Sequence, residues 1–417
     1  MAEVATTEDD DYRIWMARHE LLAETFTPSQ PVRTQDIFSG RQDQMWECLS
    51  ILSQAGSHGI LHGDRGVGKT SIANIVKIIS AAESFKVDCG TADTFQTLFR
   101  RLLDQITLDL PGAQACGFFP CETEGKTVAL TKSLSEAGFK YTPAAVSELL
   151  RRLNRKYLFI FDEFDRLTKD KFSLTSFAEL MKSISDNNIP VHFLVVGVGD
   201  SVEALIGSHP SLVRNLIQIR LYAMADTEIA EIVTKGLARL EMTMSESMVQ
   251  SITDFSCGYP HYTHLLCFHS CSKALGNRSF TVVPADLDAA IHTAINRAHE
   301  TLKRAYQKAT ATNRTSIYRE VLQACGAATL DDFGTFQPKD IEKPLSKILG
   351  REVKAPSFGA HLIKLCSHER GNILVSDGER GRRRYRFFDP LMRAFVKLST
   401  ASTETRKQNS SAKLRSL

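Results

Sequence analysis

A glycine-rich octapeptide, GDRGVGKT at residues 63–70, has the residue types and spacing that bind phosphate. It satisfies G-x-x-x-x-G-K-[ST], follows the apolar run GILH and leads into the helical pattern TSIANIVKIIS. Its glycines let backbone amides turn inward around phosphate oxygens at the positive end of a helix. Lys69 is expected to reach the β and γ phosphates, and the Thr70 hydroxyl to bind Mg²⁺. The motif predicts a nucleoside triphosphate site formed by Gly63, Asp64, Arg65, Gly66, Val67, Gly68, Lys69, Thr70 and Ser71.

Two adjacent acids follow a buried apolar run and complete the chemistry that this site needs. The run YLFIFDEFDRL at 157–167 contains Asp162 and Glu163. An acid at the end of a buried strand is the expected magnesium partner, and a carboxylate beside it can orient or deprotonate an attacking water. Alone, such a run is also typical of a strand that meets a solvated turn. Because the glycine-rich motif at 63–70, a P-loop, precedes this run in the sequence, we interpret Asp162 as the Mg²⁺ ligand and Glu163 as the catalytic carboxylate.

The composition argues against membrane-spanning and secreted proteins. Of 417 residues, 43% are apolar and 24% are charged, and no run approaches the roughly 18 apolar residues of a membrane helix. The acidic start MAEVATTEDDDYR has neither the basic nor the apolar region of a signal peptide. Nine scattered cysteines favour reduced thiols. We expect a cytoplasmic protein without a membrane partner.

Short apolar runs alternate with amphipathic helical patterns over the first half of the chain. The runs are GILH at 59, FKVDC at 85, YLFIFD at 157, VHFLVVGVG at 191 and LIQIRL at 216. This alternation predicts an α/β fold with a parallel sheet covered by helices. From 225 to about 309 the pattern is helical throughout, as in a small lid domain.

The last hundred residues combine three short helical patterns with a basic hairpin. SIYREVLQACG, PKDIEKPLSKILG and SFGAHLIKLCSH precede ILVSDGERGRRRYRFFDP, a hairpin signal, and this is the order of a winged helix. Length alone predicts two or three domains. We assign residues 1–35 to an N-terminal extension, 36–222 to a nucleotide-binding domain with an insertion at about 110–140, 223–310 to a helical lid, 311–398 to a winged-helix domain and 399–417 to a basic disordered tail.

Positive charge is concentrated in the C-terminal segment. Residues 311–417 hold 20 Lys and Arg against 11 Asp and Glu, a net charge of +9, whereas the remainder has −6. The helix before the hairpin is expected to bury Phe358, Leu362, Leu365 and Cys366 and to leave His361, Lys364 and His368 outward. This pattern favours DNA binding through Lys364, Arg382, Arg383, Arg384 and Arg386. The same module can instead pack against a protein partner, with its charges merely solvated.

The motifs together resemble those of an AAA+ ATPase of the initiator (origin-recognition-like) and STAND branch, over residues 36–397. The resemblance rests on IFSGR at 37–41, GDRGVGKT at 63–70, FIFDEFDRL at 159–167, GVGDS at 197–201, LVRNLIQIRL at 212–221 and CGYP at 257–260. It implies a P-loop NTPase sheet of AAA+ type with a helical lid and a C-terminal winged helix. It also implies ATP and Mg²⁺ as cofactors.

The resemblance implies roles for residues in two loops of the nucleotide-binding domain. Ile37 and Phe38 match the adenine pocket, although the pair is equally well explained as a helix staple in the core. Asp200 matches sensor 1, where the family has Asn, Thr or Ser. Its charge would repel a γ phosphate, and an N-cap of the following helix is the alternative.

Three further residues are carried over from the family. Arg214 precedes the fifth strand, where AAA+ assemblies keep the arginine finger that reaches a neighbouring subunit's nucleotide, which implies a homo-oligomer. A solvated arginine at a helix end is the alternative. Pro260 and His261 in CGYP match the part of the lid that closes over the nucleotide. A turn between two lid helices also explains the Gly and Pro.

One helix pattern is dense in side chains that can bind metals. Zinc sites gather ligands from separated segments, whereas these residues follow one continuous helix. We interpret them as core thiols and satisfied histidines, namely His261, His264, Cys267, His269 and Cys271.

The sequence thus predicts an ATP-binding and ATP-hydrolysing switch that couples nucleotide state to oligomerisation and DNA binding through the winged helix. The alternative is a STAND-type signalling or defence ATPase whose C-terminal module binds a protein partner instead of DNA. The two differ in whether residues 311–417 bind DNA in a salt-dependent manner.

Overall fold

The computed structural model describes most of the chain. The described residues are 3–34, 38–110, 126–167, 170–198, 210–298, 300–311, 316–331, 334–378 and 383–402. Among them, no helix has the length and apolar character needed to cross a bilayer.

A five-stranded parallel sheet forms the centre of the first half of the molecule. The strands are β1 (His58–Gly63), β2 (Glu83–Asp88), β3 (Thr107–Leu110), β4 (Lys126–Ala129), β5 (Tyr157–Asp162), β6 (Val191–Gly197) and β7 (Leu216–Leu221). The sheet has the order β2-β5-β6-β1-β7, while β3 and β4 form a separate antiparallel pair. Strands β5 and β6 are buried along their whole length, as continuous apolar strands in a parallel sheet require. The five predicted sheet strands are confirmed.

Helices cover this sheet and make up most of the second half of the molecule. They are α1 (Glu3–Thr25), α2 (Gln42–Ser50), α3 (Lys69–Ile79), α4 (Phe95–Leu103), α5 (Leu130–Glu136), α6 (Pro143–Leu153), α7 (Lys171–Asp186), α8 (Asp226–Leu240), α9 (Glu246–Ser256), α10 (Pro260–Gly276), α11 (Pro284–Arg297), α12 (Glu300–Thr310), α13 (Tyr318–Ala327), α14 (Pro338–Leu349), α15 (Ala355–Leu365) and α16, at 392–402. Helices α8 to α12 lie in the segment predicted as a lid, but the buried Leu302 and Ala309 of α12 pack in the core of the C-terminal segment.

The N-terminal segment, which has no clear sequence pattern, forms the 23-residue helix α1. Its C-terminal end packs on the lid helices: Phe26 is 1% exposed and lies against Gly236 of α8. Near its middle, Trp15 stacks on Phe280 with ring centroids 5.5 Å apart, and Arg18 pairs with Glu241 at 2.6 Å. Few apolar residues make these contacts, so the helix lacks the regular apolar stripe on which a prediction from sequence depends.

The C-terminal helices and hairpin have a core of their own. Strands β8 (Leu374–Asp377) and β9 (Arg384–Phe387) pair antiparallel. Phe336, between α13 and α14, exchanges two backbone hydrogen bonds of 2.8 Å with Tyr385 of β9, so a third short segment extends the hairpin. Helix α16 joins the two halves of the molecule, because Phe395 and Val396 belong to the C-terminal core while Ala394 and Leu398 belong to the core shared with the lid.

Candidate functional site

The loop between β1 and α3 has, at three glycines, a backbone conformation that other residues rarely adopt. Gly63, Gly66 and Gly68 have φ values of 154°, 80° and 97°. A Cβ at Gly63 would lie 2.3 Å from the carbonyl oxygen of Leu221 on β7. Gly68 is the N-cap of α3, so the loop delivers the chain to a helix N-terminus. The predicted phosphate cradle therefore has its strand, its turn and its helix.

The Lys69 side chain is folded back onto the loop. Its Nζ donates to the carbonyl oxygens of Gly63 at 2.9 Å and Asp64 at 2.7 Å. Burial lowers the pKa of the ammonium, although the nearby carboxylates of Asp165, Asp64 and Asp162 oppose this shift. The ammonium therefore stands at the mouth of the cradle, held by acceptors that phosphate oxygens can replace.

Asp162, the last residue of β5, is 2% exposed. Its Oδ1 accepts a hydrogen bond from the backbone N–H of Glu163 at 2.8 Å. Lys86 Nζ lies 2.8 Å from Oδ2, an ion-pair distance without hydrogen-bond geometry, so Oδ2 is a buried oxygen with no hydrogen-bond partner. A buried carboxylate oxygen with a free lone pair, together with the Thr70 hydroxyl, is the type of oxygen donor set that Mg²⁺ prefers.

Glu163 has an unusual backbone for a non-glycine residue, with φ of 53°. Its carboxylate pairs with Arg166, whose Nη2 lies 3.0 Å from Oε2 and donates to Oε1 at 3.1 Å. Both side chains are nearly half exposed. A left-handed backbone is strained for a non-glycine residue, and such strain is concentrated at functional sites.

Beside the P-loop lies a cavity of about 300 Å³. Its walls come from the segment at 27–32, the segment at 38–41, the P-loop and the lid; the lining residues are Thr27, Pro28, Ser29, Gln30, Pro31, Val32, Phe38, Ser39, Arg41, Gly66, Val67, Gly68, Lys69, Thr70, Ser71, Met224, Ile232, Pro260, His261 and His264. The structure thus brings Phe38, Pro260 and His261, which the family resemblance assigns to nucleotide binding, to the same cavity as the P-loop. Ile37 lies outside the described residues.

The segment at 27–32, which we name the strap, was missed by the sequence reasoning. At one end the backbone N–H of Val32 donates to Ser71 Oγ at 3.2 Å, and Asn74 on α3 donates to the Val32 carbonyl at 3.3 Å. At the other end Thr27 N–H donates to His264 Nδ1 at 3.2 Å, and His261 Nδ1 lies 2.9 Å from the Pro28 carbonyl oxygen. The strap therefore ties the P-loop helix to the lid. Its two prolines in TPSQP signal a turn or an extended segment, and the structure has a turn at 28–30, but they do not indicate where the segment packs.

Arg41, the last residue of the IFSGR motif, is the second missed residue. It is 6% exposed, and its Nη2 donates to the carbonyl oxygens of Val67 in the P-loop and Tyr222 after β7. Its backbone N–H donates to Glu228 Oε1 at 2.8 Å. Burial lowers the pKa of the guanidinium, while Glu228 opposes the shift. The side chain of Arg41 thus joins the P-loop to the segment after β7, and its backbone N–H adds a contact to the lid.

Arg214, which the family resemblance assigns to a contact between subunits, lies at the edge of the sheet opposite the P-loop. Arg214 is exposed at the end of a 3₁₀ turn at Pro210–Arg214, directly before β7, and its neighbour Val213 is 50% exposed. Asp200 lies outside the described residues.

The C-terminal module contacts the P-loop directly. Leu391, just before α16, packs against Gly66 of the P-loop: a Cβ at Gly66 would lie 3.2 Å from its Cδ2. The Tyr262 hydroxyl of lid helix α10 donates to the Leu391 carbonyl at 3.3 Å, and Lys397 donates to the Asp254 carbonyl at 3.0 Å. The P-loop, the lid and the C-terminal module thus meet at one residue.

The basic residues of the C-terminal module differ in exposure. Arg384 and Arg386 point outward from β9, Lys364 is exposed on α15, and Arg383 is half-buried, while Arg382 lies outside the described residues. Arg384 forms an ion pair with Asp331. The prediction that His361 points outward was wrong: its ring packs on Tyr318 with centroids 4.8 Å apart, and burial lowers its pKa. Cys366, expected to be buried, is half-buried.

The His and Cys residues of α10 serve several local purposes. Cys267 and Cys271 are buried in the lid core, where burial raises the pKa of both thiols, that of Cys271 to about 12. His264 accepts from the strap, and His269 lies 3.3 Å from Arg297 Nη1. In the described part of the chain, no group of three or more His, Cys, Asp or Glu has a geometry that could hold a metal ion.

Comparisons with known proteins agree with this architecture. Residues 52–205 match the family described as "AAA domain". The structure is similar to the ORC2 protein of Aeropyrum pernix in its ADPNP-ADP complexes, with a TM-score of 0.53, 13% identity, and coverage of 93% of this chain and 98% of that chain. It is similar to the Walker-type ATPase PABY2304 of Pyrococcus abyssi, with a TM-score of 0.50, 14% identity, and coverage of 88% and 99%. A comparison with curated proteins gave no match. At these identities the similarity shows the fold, and the predicted P-loop fold of AAA+ type is confirmed.

Proposed function

From this AAA+ fold, we propose that the chain binds ATP with Mg²⁺, hydrolyses it, and transmits nucleotide state to its C-terminal module. The observation that supports this most strongly is the arrangement of the P-loop, Asp162 and the C-terminal Leu391 around one site. The P-loop contacts Leu391, and the strap joins the P-loop helix to the lid. A structural change at the phosphates can therefore reach the C-terminal module through Leu391 and the lid through the strap.

The side chains around the phosphate end have distinct proposed roles. Loop amides of residues 63–70 bind phosphate oxygens, and Lys69 exchanges its two carbonyl acceptors for the β and γ phosphates. Thr70 and Asp162 hold Mg²⁺, which neutralises charge on the phosphates when bound. Glu163 orients or deprotonates the water that attacks the γ phosphate once its pair with Arg166 opens.

We propose that the C-terminal module is a winged helix that binds DNA. The order α13, α14, α15, hairpin and the pairing of Phe336 with Tyr385 support this assignment. Lys364, Arg383, Arg384 and Arg386, with Arg382 beyond the described residues, are the proposed phosphate contacts. Arg384 must then exchange Asp331 for a phosphate.

A protein partner is the second candidate, and exposed apolar side chains favour it. In the C-terminal module Phe388 is 65% exposed and Ile363, beside Lys364, is 52% exposed. Phosphate contacts need no such residues, whereas protein interfaces are enriched in aromatic ones. DNA binding by the full chain should weaken steeply as salt rises, because counterions are released from the duplex. An absence of binding at low salt would leave the protein partner as the better proposal.

The nucleotide chemistry is tested with two substitutions and two matched controls. Lys69→Ala should abolish tight ATP binding, whereas Lys77→Ala, on the exposed face of the same helix, should not. Glu163→Gln should bind ATP and lose turnover by about 10²-fold or more, whereas Glu179→Gln on α7 should retain it. Normal ATP binding by Lys69→Ala, or normal turnover by Glu163→Gln, would refute the assignment.

Arg214 is proposed to complete the nucleotide site of a neighbouring copy, and Asp200 to act as sensor 1. Because a finger acts between subunits, a mixture of Arg214→Ala and Lys69→Ala chains contains some sites with every functional group. Such a mixture should regain part of the turnover that each variant lacks alone. If the ATPase activity of the mixture equals the sum of the activities of its two variants measured separately, Arg214 acts within its own chain.

A further inference from the structure

Lys86 on β2 is a largely buried cation to which the proposed reaction assigns no role. Its side chain is only 13% exposed, and lysine is seldom buried in proteins unless it is paired. Lys86 pairs in register with Ile160 of β5, and Asp88 pairs with Asp162. Because strand side chains alternate between the two faces of a sheet, Lys86, Asp88 and Asp162 share one face. That face carries α3, since Lys86 Nζ donates to Asn74 Oδ1 at 3.0 Å.

The Lys86 ammonium lies against one oxygen of the proposed Mg²⁺ ligand. Its Nζ is 2.8 Å from Asp162 Oδ2, while Asp162 Oδ1 accepts from the Glu163 backbone N–H. An ammonium and Mg²⁺ in contact with the same carboxylate oxygen are only a few ångströms apart, and like charges at that separation repel strongly in a buried site. Mg²⁺ can therefore bind through Oδ2 only after the ammonium has moved.

A second carboxylate lies close enough to receive this ammonium. Asp88 Oδ1 is 3.4 Å from Lys86 Nζ, and the Asp88 side chain is 68% exposed. A shift of Nζ from Asp162 towards Asp88 takes the cation from a buried acid to a solvated one without leaving it unpaired. Lysine suits this movement, because its charge is carried at the end of a flexible four-carbon stem.

Asn74 of α3 positions Lys86 beside these two acids. Its Oδ1 accepts from Lys86, and its Nδ2 donates to the Val32 carbonyl of the strap at 3.3 Å. Ser71, one turn earlier on the same helix, accepts from the Val32 N–H. The side chain that holds Lys86 is therefore itself held by the strap.

We propose that Lys86 is an exchangeable counter-ion, which neutralises Asp162 when Mg²⁺ is absent and moves to Asp88 when Mg²⁺ binds with the nucleotide. Lys86 acts through Asp162 and is therefore a positioning residue. Mg²⁺ must compete with the ammonium for the buried acid, so Lys86 sets how strongly nucleotide binding depends on Mg²⁺. This inference deepens the ATP- and Mg²⁺-binding function proposed above and rests on it.

The first experiment measures what Mg²⁺ contributes to nucleotide affinity. The dissociation constant of the non-hydrolysable analogue ADPNP is determined in excess EDTA and in saturating MgCl₂, and the EDTA value is divided by the MgCl₂ value. The affinity of Mg²⁺ for free ADPNP is the same for every variant, so it cancels when variants are compared. Lys86→Met removes the competing cation, and the ratio should rise about tenfold above that of wild type.

Lys156→Met is the matched control for this substitution. Lys156 is exposed and directly precedes β5, whereas Asp162 ends that strand. This variant should keep the wild-type ratio. An unchanged or lower ratio for Lys86→Met would overturn the proposal, because the ammonium would then not compete with Mg²⁺.

Asp88→Asn provides a test of opposite sign at an exposed position, where folding should be unaffected. Without the second carboxylate the ammonium stays on Asp162, so the ratio should fall about two- to fivefold, the range expected from an exposed ion pair. The double variant Lys86→Met, Asp88→Asn should match Lys86→Met alone, because Asp88 acts only through the lysine. If Asp88→Asn lowers the ratio by the same factor with and without Lys86, Asp88 acts through its own charge and the exchange is refuted.

The wild-type values separate this inference from the function on which it rests. If wild type binds no ADPNP, or binds it equally tightly in EDTA and MgCl₂, the proposed ATP or Mg²⁺ site fails and the exchange fails with it. If Mg²⁺ tightens binding by the same factor in wild type and in Lys86→Met, the proposed site stands and only the role of Lys86 is contradicted.

Discussion

Leu391 of the C-terminal module packs against Gly66 in the middle of the P-loop, and its backbone carbonyl accepts from Tyr262 of the lid. Gly66 has a φ of 80°, so this part of the loop is both strained for other residues and in contact with a distant part of the chain. A movement of the loop or of the lid on nucleotide binding must therefore displace Leu391 or compress it. Helix α16, which follows, belongs to both hydrophobic cores.

Truncation of Leu391 should uncouple the C-terminal module from the nucleotide. In wild type, ATP should change the hydrogen exchange of α16 and of the hairpin at 374–387. In Leu391→Ala this change should be largely lost, because the side chain that contacts the P-loop is removed. Ile363→Ala, a truncation of an exposed side chain in the same module, is the control and should behave as wild type. An ATP-dependent change of wild-type size in Leu391→Ala would contradict the route through Gly66.

Release of Glu163 from Arg166 should raise turnover. The pair is nearly half exposed, so it contributes at most about 1 kcal/mol, which corresponds to a gain of up to about fivefold in kcat for Arg166→Ala. The melting temperature should hardly change, for the same reason. Steady-state ATPase kinetics measure the change in kcat, and thermal unfolding measures the melting temperature. Arg166→Lys is the control that keeps a cation. A large fall in kcat would show that Arg166 positions Glu163 productively.

A methyl group at Gly236 should detach α1 from the lid. A Cβ there would lie 2.2 Å from Phe26 Cζ, so Gly236→Ala should destabilise the protein by about 1–3 kcal/mol. The strap directly follows Phe26, and ATP affinity should fall as well. Gly276→Ala, where a Cβ meets nothing within 4 Å, is the matched control in α10. Phe26→Leu combined with Gly236→Ala should recover part of the lost stability. If the double variant is no more stable than Gly236→Ala, the added methyl group does not clash with Phe26.

The His264 contact should make stability depend on pH. Burial lowers the pKa of His264 from 6.5 to about 4, so the unfolded chain binds a proton more readily between these values. Stability is therefore fully present above pH 6.5 and falls as pH drops towards 4. His264→Gln, which keeps an acceptor for the Thr27 N–H, should reduce the loss of unfolding free energy between pH 7 and pH 5 by on the order of 2 kcal/mol. Denaturant unfolding at the two pH values measures this loss, and a slope equal to that of wild type would refute the assignment.

Local patterns in the sequence determined the sheet strands, the P-loop and the position of Asp162. Each of these depends on neighbouring residues: a continuous apolar run for a buried parallel strand, and fixed glycine spacing for a phosphate loop. The roles of Phe38, Pro260 and His261 near a nucleotide come from the family resemblance and not from these local patterns. The roles of Arg214 and Asp200 remain predictions.

The tertiary structure alone decided which distant segments complete the site. Residues 27–32, Ser39, Arg41 and Leu391 are separated along the chain and have no shared spacing, so no periodic signal marks them. They meet because α1 docks on the lid and α16 joins two cores, and both contacts depend on the shapes of packed side chains, which sequence spacing does not record. The sequence therefore predicts where phosphate binds, whereas the packing determines which distant segments surround the P-loop.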